Sequence, residues 1–148
     1  KILVNHRSTK TIDQLLIGNN SNDDAAVWDI GNGQALISTV DFFLPVVDGA
    51  FDFGRIAAAN ALSDVYAMGG RPAFANAVLG WPMEKLPAEL ASEVLKGAQS
   101  ICEKANVAIA GGHSINSSDP IFGLTVNGFI ARDILNKTIR LGSTTYFI

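Results

Sequence analysis

The sequence predicts an α/β domain in which helices cover one face of a mixed β-sheet. Two apolar runs flank an Asn-Gly pair, which is a strong short-range signal for a β-hairpin. Two later segments repeat apolar residues at the spacing of an amphipathic helix, and short apolar runs lie between and after them. Helices and strands interspersed in this way favour two packed layers, one of helices and one of sheet.

The amino-terminal part is expected to contain a short helix and the hairpin. The helix is predicted over residues 11–17, before a polar loop that runs from Gly18 to Asp24. The hairpin strands are predicted at about 25–30 and 35–41, with the turn at 31–33. Side chains alternate between the two faces of a strand. One face of the second strand therefore consists of Ala35, Ile37, Thr39 and Asp41, and the other of Leu36, Ser38, Val40 and Phe42.

Two longer helices and further strands follow the hairpin. A helix over 53–68 ends at Gly69-Gly70, a favourable stop, and a second helix begins near Pro87, a favourable first-turn residue. The second helix is expected to pack through the apolar stripe Leu90, Val94, Ala98, Ile101, Cys102 and Ala105. The remaining strands are predicted at 73–81, 107–110 and about 121–131, with a turn at 111–114.

Composition and charge exclude several classes of protein. The net charge of −3 and the pI of about 5.2 argue against a nucleic-acid partner, which would need a basic patch. No apolar run reaches the ~18 residues of a membrane span. The single cysteine, Cys102, excludes an internal disulfide and fits a cytoplasmic protein. Because the chain begins at Lys1 and stops within an apolar run, we expect it to be part of a longer protein.

Acidic residues at strand ends and on an apolar helix are the strongest functional signal. Asp23 and Asp24 directly precede the first hairpin strand, Asp41 ends the second, and Asp64 lies four residues after Asn60 on the first long helix. Such carboxylates cost free energy to desolvate unless they meet a cation or a strong donor. Oxygen ligands suit Mg²⁺ or Ca²⁺ better than zinc, so the pattern indicates a hard divalent metal.

Each of these positions also has an ordinary structural explanation. Asn60 and Asp64 face the same way, one helical turn apart, yet exposure or capping of a nearby loop would explain them equally. Adjacent aspartates such as Asp23 and Asp24 often form a turn or a cap. A lone aspartate at a strand end, as at Asp41, is weak evidence by itself. The metal site is therefore a hypothesis that depends on all these positions together.

The predicted turn Gly-Gly-His-Ser at 111–114 is a candidate anion site. Its glycines allow backbone N–H groups to approach an anion and Ser114 adds a hydroxyl, although an ordinary strand-to-loop turn has the same composition. No Gly-x-x-x-x-Gly-Lys-Ser/Thr loop is present, which excludes a P-loop NTPase. A carboxylate about 4 Å from a phosphate oxygen is repelled by about 4 kcal/mol at an effective dielectric of about 20. Divalent cations would therefore have to bridge a bound triphosphate.

Several motifs together resemble the selenophosphate synthetases, or selenide, water dikinases. The match runs from about residue 15 to residue 131. Its Asp-Asp-Ala-Ala-Val and Ser-Asp-x-x-Ala-Met-Gly-Gly elements also occur in aminoimidazole ribonucleotide synthetases, thiamine-monophosphate kinases and hydrogenase-maturation dehydratases, whereas Asp-Phe-Phe, Gly-Trp-Pro and Gly-Gly-His-Ser are more specific. The matching motifs are Asn-Asp-Asp-Ala-Ala-Val at 22–27, Ser-Thr-Val-Asp-Phe-Phe at 38–43, Phe-Asp-Phe-Gly-Arg-Ile-Ala-Ala at 51–58, Asn-Ala-Leu-Ser-Asp-Val-Tyr-Ala-Met-Gly-Gly at 60–70, Gly-Trp-Pro at 80–82, Ala-Gly-Gly-His-Ser at 110–114 and Pro-Ile-Phe-Gly-Leu at 120–124.

The resemblance implies an enzyme that converts ATP, selenide and water into selenophosphate, AMP and orthophosphate. It implies that Asp24 and Asp64 bind Mg²⁺. It also implies a cytoplasmic homodimer in which each subunit gives four strands to a closed barrel, an arrangement that removes exposed sheet edges. The residues that approach ATP, some of them across the dimer, are then Ser21, Asn22, Asp23, Asp41, Asp64, Gly112, His113 and Ser114.

The resemblance further implies two parts outside this chain. An essential cysteine or selenocysteine and a nearby lysine are expected upstream of Lys1, so no catalytic residue is assigned here, and Cys102 does not match that position. Residues 1–140 are interpreted as the ATP-binding and dimerisation domain, and 141–148 as the start of a linker toward a carboxy-terminal domain. We therefore expect the chain to be inactive alone. The alternatives are a kinase of thiamine monophosphate, and a non-catalytic dimerisation module whose aspartates only cap turns.

Overall fold

A computed structural model describes residues 11–19, 23 and 25–140, with side chains up to residue 136. Two long helices pack on one face of a six-stranded mixed sheet, and a third helix follows the last strand. Within these residues no helix is both long and apolar enough to span a membrane. The elements are β1 (Leu15–Ile17), β2 (Ala26–Gly31), β3 (Gln34–Phe43), α1 (Ala50–Ala67), β4 (Arg71–Trp81), α2 (Ala88–Lys104), β5 (Ala108–Asn116), β6 (Ile121–Ala131) and α3 (Arg132–Arg140).

The strand order across the sheet is β1-β2-β3-β6-β4-β5. Neighbouring strands are antiparallel except β4 and β5, which are parallel and are joined by the crossover helix α2. The mixed α/β architecture predicted from the sequence is confirmed. The expected four-stranded sheet is wrong, because β1 and β5 extend the sheet at its two edges.

Two local predictions are also wrong, and in both cases pairing with a neighbouring strand decides the structure. The segment 11–17 is not a helix, since a turn at 13–14 leads into β1, where Leu15 pairs with Trp28 of β2. The segment 111–114 is not a turn but the middle of β5, which stays paired with β4 as far as Asn116. The boundary predicted at residue 141 lies outside the described residues.

The hairpin between β2 and β3 forms where it was predicted. Asn32 and Gly33 both adopt positive φ angles, of 53° and 72°, as a two-residue type I′ turn requires. Asp29 accepts a hydrogen bond from the backbone N–H of Gly31 at 2.9 Å and forms an ion pair with Arg132 at the start of α3. The hairpin is thereby connected to the chain that leaves β6.

Small residues allow α1 and α2 to pack very closely. A Cβ atom on Gly54 would lie 1.8 Å from the carbonyl oxygen of Val94, and one on Gly97 would lie 1.9 Å from that of Phe51. Leu90 is 38% exposed, so its predicted place in the core is wrong. The buried stripe of α2 is made of Ala91, Val94, Gly97, Ala98 and Cys102, because so short an interhelical distance favours small side chains.

Aromatic packing fixes α1 on the centre of the sheet. Phe53 of α1 contacts Phe43 of β3 and Phe122 of β6 edge to face, with ring centroids 5.9 and 6.2 Å apart. At the other end of the helix, Ile37 of β3 approaches the Gly69-Gly70 stop, where a Cβ on Gly70 would meet both Ile37 and Val65. The helix therefore runs antiparallel to β3 along its length.

Candidate functional site

The crossing of α1 over β3 brings two polar pairs together. Four residues of an α-helix rise about 6 Å, and two residues of a strand span about 6.7 Å. Asn60 and Asp64 on α1 therefore match the spacing of Asp41 and Thr39 on β3 when the two elements run antiparallel. The predicted face of β3 is confirmed, since Thr39 follows the fully buried Ala35 and Ile37 on the side covered by α1.

Two hydrogen bonds join the helix to the strand at this point. The hydroxyl of Thr39 donates to Oδ2 of Asp64 at 2.7 Å. The amide Nδ2 of Asn60 donates to Oδ2 of Asp41. The two carboxylates therefore lie next to each other where α1 crosses β3. We call Thr39, Asp41, Asn60 and Asp64 the β3–α1 cluster.

The cluster lies at the border between the core and solvent. Thr39 is buried, the Asp41 and Asp64 side chains are half-buried, and Asn60 is exposed. Within the part of the chain that the structure describes, no basic side chain forms an ion pair with Asp41. Carboxylate oxygens are among the ligands that Mg²⁺ prefers.

The predicted residues before β2 are only partly described. Ser21, Asn22 and Asp24 lie outside the described residues, and Asp23 is exposed. Ala25 is 8% exposed and directly precedes Ala26, which pairs with Ser38 next to Thr39. Among the described residues, no group of three or more His, Cys, Asp or Glu side chains is arranged to hold a metal. The role of Asp24 as a metal ligand therefore stays a prediction.

Gly112, His113 and Ser114 lie far from the β3–α1 cluster within one chain. They belong to β5, which is separated from β3 by β6 and β4, so strand spacing puts it about 14 Å away. His113 and Ser114 pair with Val78 and Leu79 and alternate in facing, so that one points to each side of the sheet. The structure does not bring these residues together with Asp41 and Asp64.

Two cavities adjoin β5 on the side of α2. One of about 280 Å³ is lined by residues that include Leu95 of α2 and 111–114 of β5. The other, of about 410 Å³, is lined by residues that include Leu95, Gln99 and Cys102. Cys102 is only 1% exposed, and burial raises the pKa of its thiol, as expected for the predicted core cysteine.

Sequence reasoning identified Asp41 and Asp64 but missed Thr39. The alternation of β3 already put Thr39 on the face of Asp41, and a hydroxyl that follows the apolar Ala35 and Ile37 on that face was the signal that could have found it. The sequence left open whether Asn60 faces a ligand together with Asp64 or is simply exposed or capping a loop. In the structure Asn60 is exposed and its amide donates to the carboxylate of Asp41.

Comparison with known proteins identifies the family. Residues 22–130 match the family model described as AIR synthase related protein, N-terminal domain. The chain is 60% identical over 124 residues to a selenide, water dikinase of Haemophilus ducreyi, and 56% identical over 124 residues to one of Yersinia pseudotuberculosis. Both matches cover 84% of this chain and 36% of the relative. The chain thus spans little more than a third of the length of these relatives.

Solved structures share the fold. A thiamine-monophosphate kinase from Stenotrophomonas maltophilia aligns with a TM-score of 0.60 and 27% identity over 81% of this chain and 38% of that one. AaThiL complexed with AMPPCP and TMP aligns with a TM-score of 0.68 and 24% identity over 76% of this chain and 38% of that one. The resemblance to selenide, water dikinases noted in the sequence is confirmed, and the chain belongs to the AIR synthase related protein family as its N-terminal domain.

Proposed function

We propose that this chain is the Mg²⁺-dependent ATP-binding domain of a selenide, water dikinase. The complete protein would convert ATP, selenide and water into selenophosphate, AMP and orthophosphate. The observation that carries the proposal is the β3–α1 cluster, in which two carboxylates that are far apart in sequence lie next to each other between α1 and β3. Relatives that are 54–60% identical and bear that enzyme name support the choice of activity.

In this proposal Asp24 and Asp64 hold Mg²⁺. The chemistry of the donors fits this ion, since both residues offer carboxylate oxygen. When bound, the ion would neutralise charge on the polyphosphate. The residues proposed to approach ATP are Ser21, Asn22, Asp23, Asp41, Asp64, Gly112, His113 and Ser114.

We also propose that two copies associate through the sheet face opposite α1 and α2, with their strands closing a barrel. Five large apolar side chains on that face are 38–56% exposed, and apolar surface of this kind is typical of a protein–protein interface. A dimer would also explain how the predicted residues of β5 take part in ATP binding, because they would reach a nucleotide held by the partner subunit. The exposed side chains are Trp28, Val40, Phe42, Phe74 and Phe129.

The domain assignment follows the same proposal. Residues 1–140 form the ATP-binding and dimerisation domain, and 141–148 begin a linker toward a further domain of the longer protein. A cytoplasmic location suits a chain with one cysteine, and that cysteine is buried.

A titration of the chain with ATP, in the presence and absence of Mg²⁺, tests the binding function. We expect saturable binding that requires the ion, and sedimentation of the same sample should report a dimer. Binding that ignores Mg²⁺ would favour a non-catalytic dimerisation module instead.

A comparison of substrates tests the choice of reaction. The complete protein should release AMP and orthophosphate from ATP only when selenide is supplied. Turnover with thiamine monophosphate, and none with selenide, would identify a kinase like the structural neighbour from Stenotrophomonas maltophilia.

A further inference from the structure

We infer that Thr39 and Asn60 are positioning residues, which orient the carboxylates of Asp64 and Asp41 toward a bound complex of Mg²⁺ and ATP without contacting the ion. What the carboxylates bind rests on the proposed function. The orientation itself rests on the two hydrogen bonds of the β3–α1 cluster. Thr39 is buried and Asn60 is exposed, and neither is among the residues proposed above to contact ATP or Mg²⁺.

Thr39 has a chemical reason to hold Asp64. It is 7% exposed and is the buried polar side chain of the described core, where a hydroxyl without a partner would be costly. Its hydroxyl lies 2.7 Å from Oδ2 of Asp64, a normal length for a strong bond to a carboxylate. A β-branched side chain on a strand is also stiff about χ1, so the donor is fixed in place.

Asn60 is inferred to position Asp41 for a different reason. It is exposed, so water could satisfy its amide, yet Nδ2 donates to Asp41 across the gap between helix and strand. The hydroxyl of Ser63 donates to the backbone carbonyl of Asn60 at 2.6 Å, a contact that does not involve the side-chain amide. Replacement of the amide should therefore affect Asp41 with little effect on the core.

The donors are neutral, and this matters for a cation site. A lysine or arginine in place of either donor would orient the carboxylate but would also cancel its charge and compete with the ion. A hydroxyl and an amide orient the oxygen atoms and leave the charge in place. Outer groups that orient ligands in this way typically change metal affinity by about 10–100-fold when they are removed.

The test is the Mg²⁺ concentration that gives half-maximal ATP binding to the full chain. Thr39→Val keeps the shape of the side chain and removes the hydroxyl, and we expect it to raise that concentration about 10–100-fold. Thr39→Ser restores the hydroxyl and should return the value to near wild type. Asn60→Ala should raise it about 10-fold, and the neighbouring control Ser63→Ala should leave it unchanged.

A second readout needs neither metal nor nucleotide. In the free chain, the side-chain amide protons of Asn60 should give NMR signals displaced from those of a solvated asparagine, and Asp41→Ala should return them to that position. Melting temperatures of all variants separate a positioning role from a loss of folding. Signals of a solvated amide in the wild type would overturn the role of Asn60.

The outcomes distinguish the inference from the proposed function. If the wild-type chain binds ATP with Mg²⁺ and both Thr39→Val and Asn60→Ala titrate like wild type at equal melting temperatures, the inference is wrong and the proposed function stands. If the wild type binds no ATP with Mg²⁺ although it is folded, the proposed function of this chain fails, and the positioning role fails with it.

Discussion

The β3–α1 cluster and the exposed strand β5 both carry residues predicted for the nucleotide site, but only the cluster is covered by a helix. In the cluster, a helix covers the strand and four polar side chains are joined in pairs across the crossing. In β5 every residue except the half-buried Ile109 is exposed, and the glycines lie against β4 rather than in a loop. The polar side chains of the cluster are thus held in place by hydrogen bonds within the chain, whereas β5 is an exposed edge strand of the sheet.

In the proposed dimer, the β3–α1 cluster of one chain and β5 of the other would contribute to the same nucleotide site. Side chains of the cluster are held by a single chain, so their orientation should survive dilution. The edge strand is about 14 Å away across the sheet, and in the dimer proposed above His113 and Ser114 would act on a nucleotide at the cluster of the other copy.

The cluster should dominate nucleotide affinity. Asp64→Asn keeps an oxygen that can accept the hydroxyl of Thr39 but removes the charge, which should cost about 2–5 kcal/mol of Mg²⁺-dependent ATP binding, or at least ~30-fold in Kd. Asp52→Asn on the same helix is the matched control, since Asp52 forms only an exposed ion pair with Arg55. Equal losses in the two variants, measured by calorimetry, would remove Asp64 from the site.

Mixing two defective chains tests whether β5 acts on the partner's site. Asp64→Ala and the double variant His113→Ala/Ser114→Ala should each bind ATP poorly alone. After random exchange of subunits half of the dimers are mixed and one of their two sites is intact, so about a quarter of all sites should recover. No recovery, with exchange verified, would mean that both groups act within one chain or that β5 has no part in binding.

Gly112 should be required by packing and Gly111 should not. A Cβ on Gly112 would lie 2.3 Å from the carbonyl oxygen of Ala77, and its φ is +157°, whereas a Cβ on Gly111 would meet only the side chain of Asn76 at 3.3 Å. Gly112→Ala should therefore lower the free energy of unfolding by about 1–3 kcal/mol, and Gly111→Ala by less than about 0.5 kcal/mol. Chemical denaturation of both variants measures the difference. Similar values would indicate that β5 is not packed against β4 as described.

The thiol of Cys102 should stay shielded from solvent in the folded chain. Burial raises the pKa of the Cys102 thiol above its ordinary value of 9.0, so the neutral form is favoured in the fold. The resulting stability is fully present below pH 9 and is lost as pH rises through the raised value, by up to about 1.4 kcal/mol per pH unit. Relative to Cys102→Ala, the wild type should lose unfolding free energy above pH 9. Parallel stability curves from pH 7 to 11 would show that the thiol is solvated.

The sequence predicts those parts of the fold that local chemistry decides. Gly69-Gly70 ends α1 with Gly69 at a positive φ of 79°, and Asn32-Gly33 forms the hairpin turn. The alternation of β3 gave the face shared by Thr39 and Asp41. These features depend on backbone conformations and periodicities that a few residues determine.

The remaining features depend on partners distant in the sequence. The three residues Leu15–Ile17 are a strand because β2 pairs with them, and β5 is long because β4 continues beside it. The sequence placed Asp41 and Asp64 in the candidate site, yet the bonds to Asn60 and Thr39 require the antiparallel run of α1 over β3. That orientation is fixed by aromatic contacts around Phe53, which no local pattern reveals.

The most direct test replaces Mg²⁺ by Mn²⁺, which prefers the same oxygen ligands and broadens the NMR signals of nearby nuclei. The chain labelled with ¹⁵N is titrated with Mn²⁺ and ATP. The proposed function predicts selective broadening of the backbone amides of Thr39, Asp41, Asn60 and Asp64, with sharp signals at Asp52 and Glu93. Broadening centred on other residues, with the cluster unaffected, would contradict a cation held at the crossing of α1 and β3.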